Sequence, residues 1–352
     1  MANLCATVRD MSAHPLRNPA VTPTVGGLAD DQEAFGRLVE AHRRDLVLLG
    51  YRFLGSIGEA EEVAQEAFLR AWRGRDSFRG DASIRTWLHR ISTRVCLDAI
   101  EHRRRRVLPP AIRAAADPAH PPEPASTEVL WLEPIPDDYL VDAGLDPAAR
   151  YSLRESVSLA FLAALQTLPA RQRAVLILRD VLDWSAAEVA PVLGMSVGAV
   201  NSALHRARSA LRASHHRSGI DAMTSRSPDD PAIRRLLDAY VRAWEADDVD
   251  GILATLKDDV RLAMPPSPSW YQGRAAVGEL LSRWIIGTTP SGRFRLPITS
   301  ANGQPAVGFL ELGPDGSSRV VGVHVLTVDP DGIAEITAFM DPAIAARFEF
   351  AR

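Results

Sequence analysis

Apolar residues fall three or four apart over long stretches of the first two thirds of the chain, the spacing of one helix face. From Asp31 to Leu54 the repeating positions are Phe35, Leu38, Val39, His42, Leu46 and Leu49. After Gly55 to Gly58 a second helix is predicted, with Ala60, Val63, Ala64, Ala67, Phe68, Ala71 and Trp72 on one side and Glu61, Glu62, Gln65, Glu66 and Arg73 on the other. A loop at Gly74 to Ser83 precedes a third, which carries Ile84, Trp87, Leu88, Ile91, Val95 and Ile100 and ends in Arg103 to Arg106. Helical spacing returns over residues 151–213 and again at Ile233 to Ala246. The period then changes. Strand-like runs are predicted at Val260 to Met264, Phe294 to Thr299, Ala306 to Leu312, Arg319 to Val328 and Ile333 to Phe339, with short helices at Val249 to Leu256 and Ala275 to Ile285. Helices followed by a meander of strands predict an α+β domain at the C-terminal end.

Breaks in the pattern set the expected boundaries. Residues 1–30, with Pro15, Pro19, Pro23, Gly26 and Gly27, have no period and predict a flexible tail. Residues 31–106 form a first helical module. Pro109, Pro110, Pro118, Pro121, Pro122 and Pro124 forbid a continuous helix, so 107–150 is expected to be a linker. A second helical module covers 151–213, a second linker 214–228, and the α+β domain 229–352. Within the first linker, Trp131, Leu132, Pro134 and Ile135 have no obvious core of their own and predict a docking segment.

The most specific local signal lies at residues 184–212. Ser185 can cap a helix while Glu188 returns the hydrogen bond, and Trp184 can pack on Val189. Gly194 suits a left-handed turn, after which Ser196 can cap a second helix. Two short helices around such a turn are a helix-turn-helix, which points to duplex DNA. In the second helix Val200, Ala203, Leu204, Ala207 and Leu211 would face inward. Ser196, Val197, Gly198, Asn201, Ser202, His205, Arg206, Arg208 and Arg212 would face outward, where small residues permit close approach and Asn, His and Arg donate to bases or phosphates.

A net charge of −4 looks wrong for a DNA binder until it is divided along the chain. Residues 70–106 carry a balance of +7 and residues 169–217 one of +4, whereas 107–150 carry −6 and 229–352 carry −5. Phosphate binding depends on local positive density, so the two basic islands matter more than the total. Cys5 and Cys96 match neither a disulfide framework nor a metal-ligand spacing. No apolar run approaches the ~20 residues of a membrane span, and the expected location is cytoplasmic.

Glu61-Glu62-Val63-Ala64-Gln65-Glu66-Ala67-Phe68-Leu69-Arg70-Ala71-Trp72, then Phe78-Arg79-Gly80, Thr86-Trp87-Leu88-His89-Arg90-Ile91 and Cys96-Leu97-Asp98, closely resemble region 2 of the bacterial sigma-70 family. Leu168-Pro169-Ala170-Arg171-Gln172-Arg173 and the helix-turn-helix resemble region 4. With a linker in place of region 3, the chain is similar to an extracytoplasmic-function sigma factor. Asp258-Asp259-Val260 leading to Met264-Pro265-Pro266, Trp270-Tyr271-Gln272-Gly273-Arg274 and the final strand resemble the SnoaL-like, polyketide-cyclase-type cone. Sigma factors with such a fused domain form known groups, and the Trp131-Leu132-Glu133-Pro134 linker looks like theirs. The implied fold is two all-α modules followed by an α+β cone.

The resemblance implies a promoter-specificity subunit that performs no covalent chemistry and needs no cofactor or metal, working as a monomer within the holoenzyme. Its implied partners are core RNA polymerase and promoter DNA, with no membrane. Glu61, Glu62, Gln65, Glu66 and Arg70 would dock on polymerase. Arg79, Arg85, Trp87, Arg90 and Arg94 would engage the minus 10 element, and Ser196, Val197, Gly198, Asn201, Ser202, His205, Arg206 and Arg208 the minus 35 element. Trp87 reads first as core and second as a base-stacking residue, and Arg103 to Arg106 read equally as a helix end favoured by the macrodipole. Other readings stay open: a helix-turn-helix repressor acting without polymerase, or a cone that senses a small ligand or regulator or is an enzyme. For catalysis only Asp258, Asp259 and His324 are suggestive. Trp270, Tyr271, Trp284, Phe309, Phe339 and Met340 would line a pocket or fill a core.

Overall fold

A computed structural model of the chain describes residues 32–78, 82–101, 103–140, 147–218, 230–286, 292–313, 315–329 and 331–350. The expected tail, residues 219–228 of the expected second linker and Arg79-Gly80 lie outside them, whereas residues 214–218 of that linker continue a helix. The chain divides into two compact units, residues 1–105, 142–150 and 160–222 in one, and 106–141, 151–159 and 223–352 in the other.

The first unit is helical. Helices α1 (Gln32–Leu54), α2 (Ile57–Arg73) and α3 (Ile84–Glu101) pack into a bundle through Leu46, Leu49, Phe53, Ile57, Val63, Phe68, Leu88 and Val95. Ser56 starts α2 by accepting the Glu59 N–H at 3.3 Å. Gly50 lets α1 and α2 cross closely, since a Cβ there would stand 3.0 Å from the Ala60 Cα. Helix α3 stops at Glu101, so Arg103 to Arg106 lie beyond it rather than forming its last turn. Arg103 instead reaches back to the Glu59 carboxylate of α2.

Four further helices follow along the chain: α4 (Pro147–Glu155), whose residues from Tyr151 on belong to the second unit, α5 (Leu159–Gln166), α6 (Ala170–Leu176), which widens into a π turn at Ile177–Val181, and α7 (Ala186–Leu193). Helix α8 (Val197–Ser218) comes next. The stretch around Arg171 to Leu182 is therefore not one regular helix. Arg173 is 4 % exposed and donates to the Phe53 carbonyl at 2.5 Å and to Gln166 Oε1 at 2.8 Å, tying α6 to the end of α1. Burial pulls its guanidinium down to about 10.

The second unit packs α9 (Pro231–Glu245), α10 (Val249–Ala254) and α11 (Arg274–Leu280) on one face of a seven-stranded sheet. The strands are β1 (Leu256–Ala263), β2 (Trp270–Gln272), β3 (Phe294–Arg295), β4 (Ile298–Ala301), β5 (Gln304–Leu312), β6 (Ser318–Asp329) and β7 (Gly332–Phe339). Their order is β2-β1-β7-β6-β5-β3, with β4 also paired to β5, and only β1 and β7 run parallel. The single run expected at Phe294 to Thr299 splits into β3 and β4. The interruption falls at Leu296-Pro297, where proline has no N–H for the ladder and its carbonyl accepts the Gly308 N–H at 2.8 Å.

Both faces of this sheet are covered. Leu326, Val328, Ile336 and Ala338 join the core under the helices, while the alternating Val323, Val325, Thr337 and Phe339 are buried on the opposite side. That outer side carries the short α12 (Pro342–Ala345) together with Phe348 and Phe350, whose ring occupies the space a Cβ on Gly308 would need. Burial on both faces explains why β5, β6 and β7 read as nearly continuous apolar runs.

Of the segment expected to be a linker, residues 107–140 fold into this second unit, whereas its last residues, from Pro147, begin α4. Val107 bridges to Trp131. The Ala116 N–H donates to the Trp270 carbonyl at 2.8 Å, Ser126 N–H to Pro266 at 2.9 Å, and Glu123 N–H to Ser269 Oγ at 2.9 Å. Pro136 bridges to Ala301, and Asp137 accepts the Gly303 N–H at 2.8 Å.

Candidate nucleic-acid interface

The helix-turn-helix is built from local chemistry. Ser185 Oγ accepts the Glu188 N–H at 3.2 Å, and the Glu188 carboxylate accepts the Ser185 N–H at 2.8 Å. Hydrogen bonding of the Glu188 carboxylate to the Ser185 hydroxyl and to the Ser185 backbone N–H holds its carboxyl below the ordinary value. Gly194 adopts φ +61°, and the Met195 N–H donates to the Ala190 carbonyl at 2.9 Å. Ser196 Oγ then accepts the Ala199 N–H at 3.2 Å and starts α8. The two helices meet at 98°, within the range of the motif.

Val200, Ala203, Leu204, Ala207 and Leu211 are buried. Ser196, Val197, Gly198, Asn201, Ser202, His205 and Arg206 are exposed along the N-terminal half of α8. Arg208 departs from this set. It is half-buried, and its guanidinium forms a two-point pair with Asp180, Nε to Oδ2 at 2.9 Å and Nη2 to Oδ1 at 2.6 Å. Its guanidinium is thereby paired within the protein.

On α3, Arg94 is exposed and Arg90 half-buried, while Arg85 donates to Asp45 of α1 at 2.8 Å. Trp87 is half-buried with its ring 5.0 Å from that of Phe78. On α2, Glu62 and Gln65 are exposed, Glu61 is half-buried, and Arg70 bridges Glu66 at 2.8 Å and Asp98 of α3 at 3.1 Å. The polar flank of α2 is thus an ion-pair lattice rather than a row of isolated charges. Sequence reasoning missed Asp45, Asp98 and Asp180, because partners tens of positions apart leave no local signal.

In the second unit the acid/base candidates do not converge. Asp258 and Asp259 are exposed, Asp258 beside Arg274 at 3.1 Å. His324 is buried, with Nδ1 3.1 Å from the Tyr240 hydroxyl and its ring stacked on Phe309 at 4.6 Å. Burial pushes its imidazole down to about 3, so it is neutral near pH 7. Tyr240, Trp244, Phe294 and Phe309 fill the space around it. Tyr271 and Phe339 are core residues as well, whereas Met340 is exposed. Trp270 and Trp284 hold the linker, their indole N–H groups donating to the carbonyls of Arg113 at 2.9 Å and Pro118 at 3.0 Å. Trp131, Leu132, Pro134 and Ile135 are all buried. Among the described residues no group of three or more His, Cys, Asp or Glu could hold a metal ion, and no single helix is long and apolar enough to cross a membrane.

Residues 38–106 match the family described as Sigma-70 region 2, residues 158–211 Sigma-70, region 4, and residues 237–338 the SnoaL-like domain. These matches, with the helix-turn-helix geometry, define the class as sigma-70-type promoter-binding subunits with a fused C-terminal domain. The chain is 42 % identical over 322 residues to the ECF RNA polymerase sigma factor SigG of Mycobacterium tuberculosis, covering 91 % of this chain and 85 % of the relative. It is 33 % identical over 182 residues to the ECF RNA polymerase sigma factor SigW of Bacillus subtilis, covering 52 % of this chain and 89 % of that one. The chain belongs to the ECF RNA polymerase sigma factors. In fold it is similar to the crystal structure of the Mycobacterium tuberculosis extracytoplasmic function sigma factor SigJ, with a TM-score of 0.55 and 23 % identity over 90 % of this chain and all of that one.

Proposed function

We propose that this sigma factor reads the minus 35 element with the N-terminal half of α8, opens the minus 10 element with α3 and the loop before it, and docks on core RNA polymerase through the polar flank of α2. The observation that carries the reading is the exposed row Val197, Gly198, Asn201, Ser202, His205 and Arg206 on a helix whose other side is buried. Small residues first and donors next is the order that lets a helix start enter a major groove. In transcription assays with purified core enzyme, Asn201→Ala and Arg206→Ala are expected to weaken promoter-dependent initiation, Asn201→Ala with altered minus 35 base preference. Unaltered start-site choice and strength in both variants would remove the assignment.

The C-terminal unit is proposed to modulate this activity by holding the connection between the two DNA-binding regions. Hydrogen bonds from Trp270 and Trp284, together with those to Asn302, support that role, because they make the conformation of residues 106–140 depend on the C-terminal fold. The acidic balance of residues 229–352 adds electrostatic competition with the basic islands. Truncation after Ser218 is expected to change promoter strength and leave base preference intact; unchanged strength would refute modulation. Coverage of the outer sheet face by the chain's own α12, Phe348 and Phe350 supports a monomer within the holoenzyme.

A further inference from the structure

The Asp180–Arg208 pair is an anchor placed where it controls the reading helix. Asp180 stands on the π turn ahead of α7 and is nearly buried, its side chain 8 % exposed. Both carboxylate oxygens are used by Arg208, the two-point geometry that fixes orientation as well as distance. The π turn is itself held from the other side. The Trp184 N–H donates to the Leu178 carbonyl at 2.9 Å, and the Arg179 guanidinium donates to the Trp184 carbonyl. Helix α8 is thus tied at Arg208 to a braced turn, while the exposed side of its N-terminal half presents Asn201, Ser202, His205 and Arg206.

The lever is short enough to matter. Seven residues separate Arg208 from Asn201, a rise of about 10 Å, so a tilt of about 10° at the anchor displaces the reading end by about 2 Å. A displacement of that size takes a hydrogen bond to a base edge out of range. Phosphate contacts from flexible side chains would tolerate it.

We propose that Arg208 is a positioning residue for minus 35 recognition and not a DNA contact: pinned by Asp180, it sets the depth and rotation at which the start of α8 meets the bases. This rests on the reading of α8 as the minus 35 element. Two classes of arginine on one helix then have different signatures. A phosphate-binding arginine adds affinity for every sequence and steepens the dependence on salt, whereas the anchor adds discrimination between sequences and leaves that slope alone.

The test uses holoenzyme assembled from core polymerase and the full chain, binding fluorescent promoter duplexes over a range of salt, with a panel of single minus 35 substitutions. Asp180→Asn is expected to reduce the preference for the cognate over the substituted elements by about ten-fold, with the slope of log affinity against log salt unchanged. The exchanged pair, Asp180→Arg with Arg208→Asp, keeps net charge and restores most of the preference. Arg206→Ala serves as the phosphate comparator and lowers affinity evenly, with the slope smaller by about one. Full discrimination in Asp180→Asn, or an Arg208→Met variant whose slope falls by about one with its preference intact, overturns the proposal. If Asp180→Asn does not fold, the exchanged pair decides: regained discrimination supports the anchor and lost discrimination in a folded protein overturns it. Asn201→Ala separates the two layers, since an unaltered base preference in that variant would refute the assignment of α8 itself.

Discussion

Replacing Asn302 by alanine tests whether the segment between the two sigma regions is truly held by the C-terminal unit. Asn302 sits in the turn between β4 and β5, fully buried and at φ +58°. Its Oδ1 accepts the Ile135 N–H at 3.1 Å and its Nδ2 donates to the Val157 carbonyl at 2.7 Å. Alanine leaves both main-chain groups buried without these partners, at about 1–3 kcal/mol each. A left-handed backbone costs a residue other than Gly, Asn or Asp about another 1 kcal/mol. The sum, about 3–7 kcal/mol, is comparable with the 5–15 kcal/mol that typically holds a whole domain. The segment around Ile135 should therefore open locally in Asn302→Ala, and Asn302→Gly, which escapes the backbone penalty, should be milder by about 1 kcal/mol. Hydrogen exchange over residues 129–137 and tryptic cleavage after Arg113 read the opening directly, and denaturant unfolding gives its cost. If exchange at Ile135 is unaltered and the unfolding midpoint moves by the equivalent of less than about 1 kcal/mol, the account of the docked segment is wrong. If docking is also what modulates activity, promoter strength in this variant moves in the same direction as in the truncation after Ser218.

Ser185→Ala removes the hydroxyl half of a reciprocal cap, keeping the backbone N–H that donates to Glu188, and should destabilise the helix-turn-helix by about 1 kcal/mol. The Glu188 carboxyl should rise toward its ordinary value as the hydroxyl's hydrogen bond is lost, and an unaltered Glu188 titration by NMR would show that the hydroxyl does not govern it. His324, neutral when folded, gives the C-terminal unit a pH dependence of definite sign. Its folded value of about 3 lies below the unfolded value near 6.5, so between them the unfolded chain binds the extra proton and stability falls as pH falls, by about 1.4 kcal/mol per pH unit. Burial raises Asp137 to about 6, which tilts stability the opposite way in part of that window, but Asp137 is common to wild type and His324→Gln and drops out of their difference. Parallel stability curves for the two proteins between pH 4 and 6 would count against a buried neutral imidazole.

How much was readable from residues alone follows from how local each signal is. The helix-turn-helix was legible because its cap, its glycine turn and its apolar spacing all lie within thirty or so residues, and Ser185, Glu188, Gly194 and Ser196 each do what their chemistry suggests. Strand β2, only Trp270–Gln272, was not, because three residues show no alternation. Arg208 looked like its neighbour Arg206 in sequence and is separated from it only by Asp180, 28 positions earlier. Trp270 and Trp284 were readable as large buried aromatics but not as donors to the Arg113 and Pro118 carbonyls, whose partners are more than 150 residues away.

Local chemistry along the chain determined the helices, the position and sense of the helix-turn-helix, the basic islands and the longer strands, since propensity, capping and charge density act between near neighbours. Tertiary structure alone decided that a proline-rich connection is part of the C-terminal fold, that Arg208 pairs with Asp180, and that the histidine of β6 is sealed among rings. The reason is physical: burial and ion pairing depend on which distant surfaces come within a few ångströms, and that distance is written in no single segment.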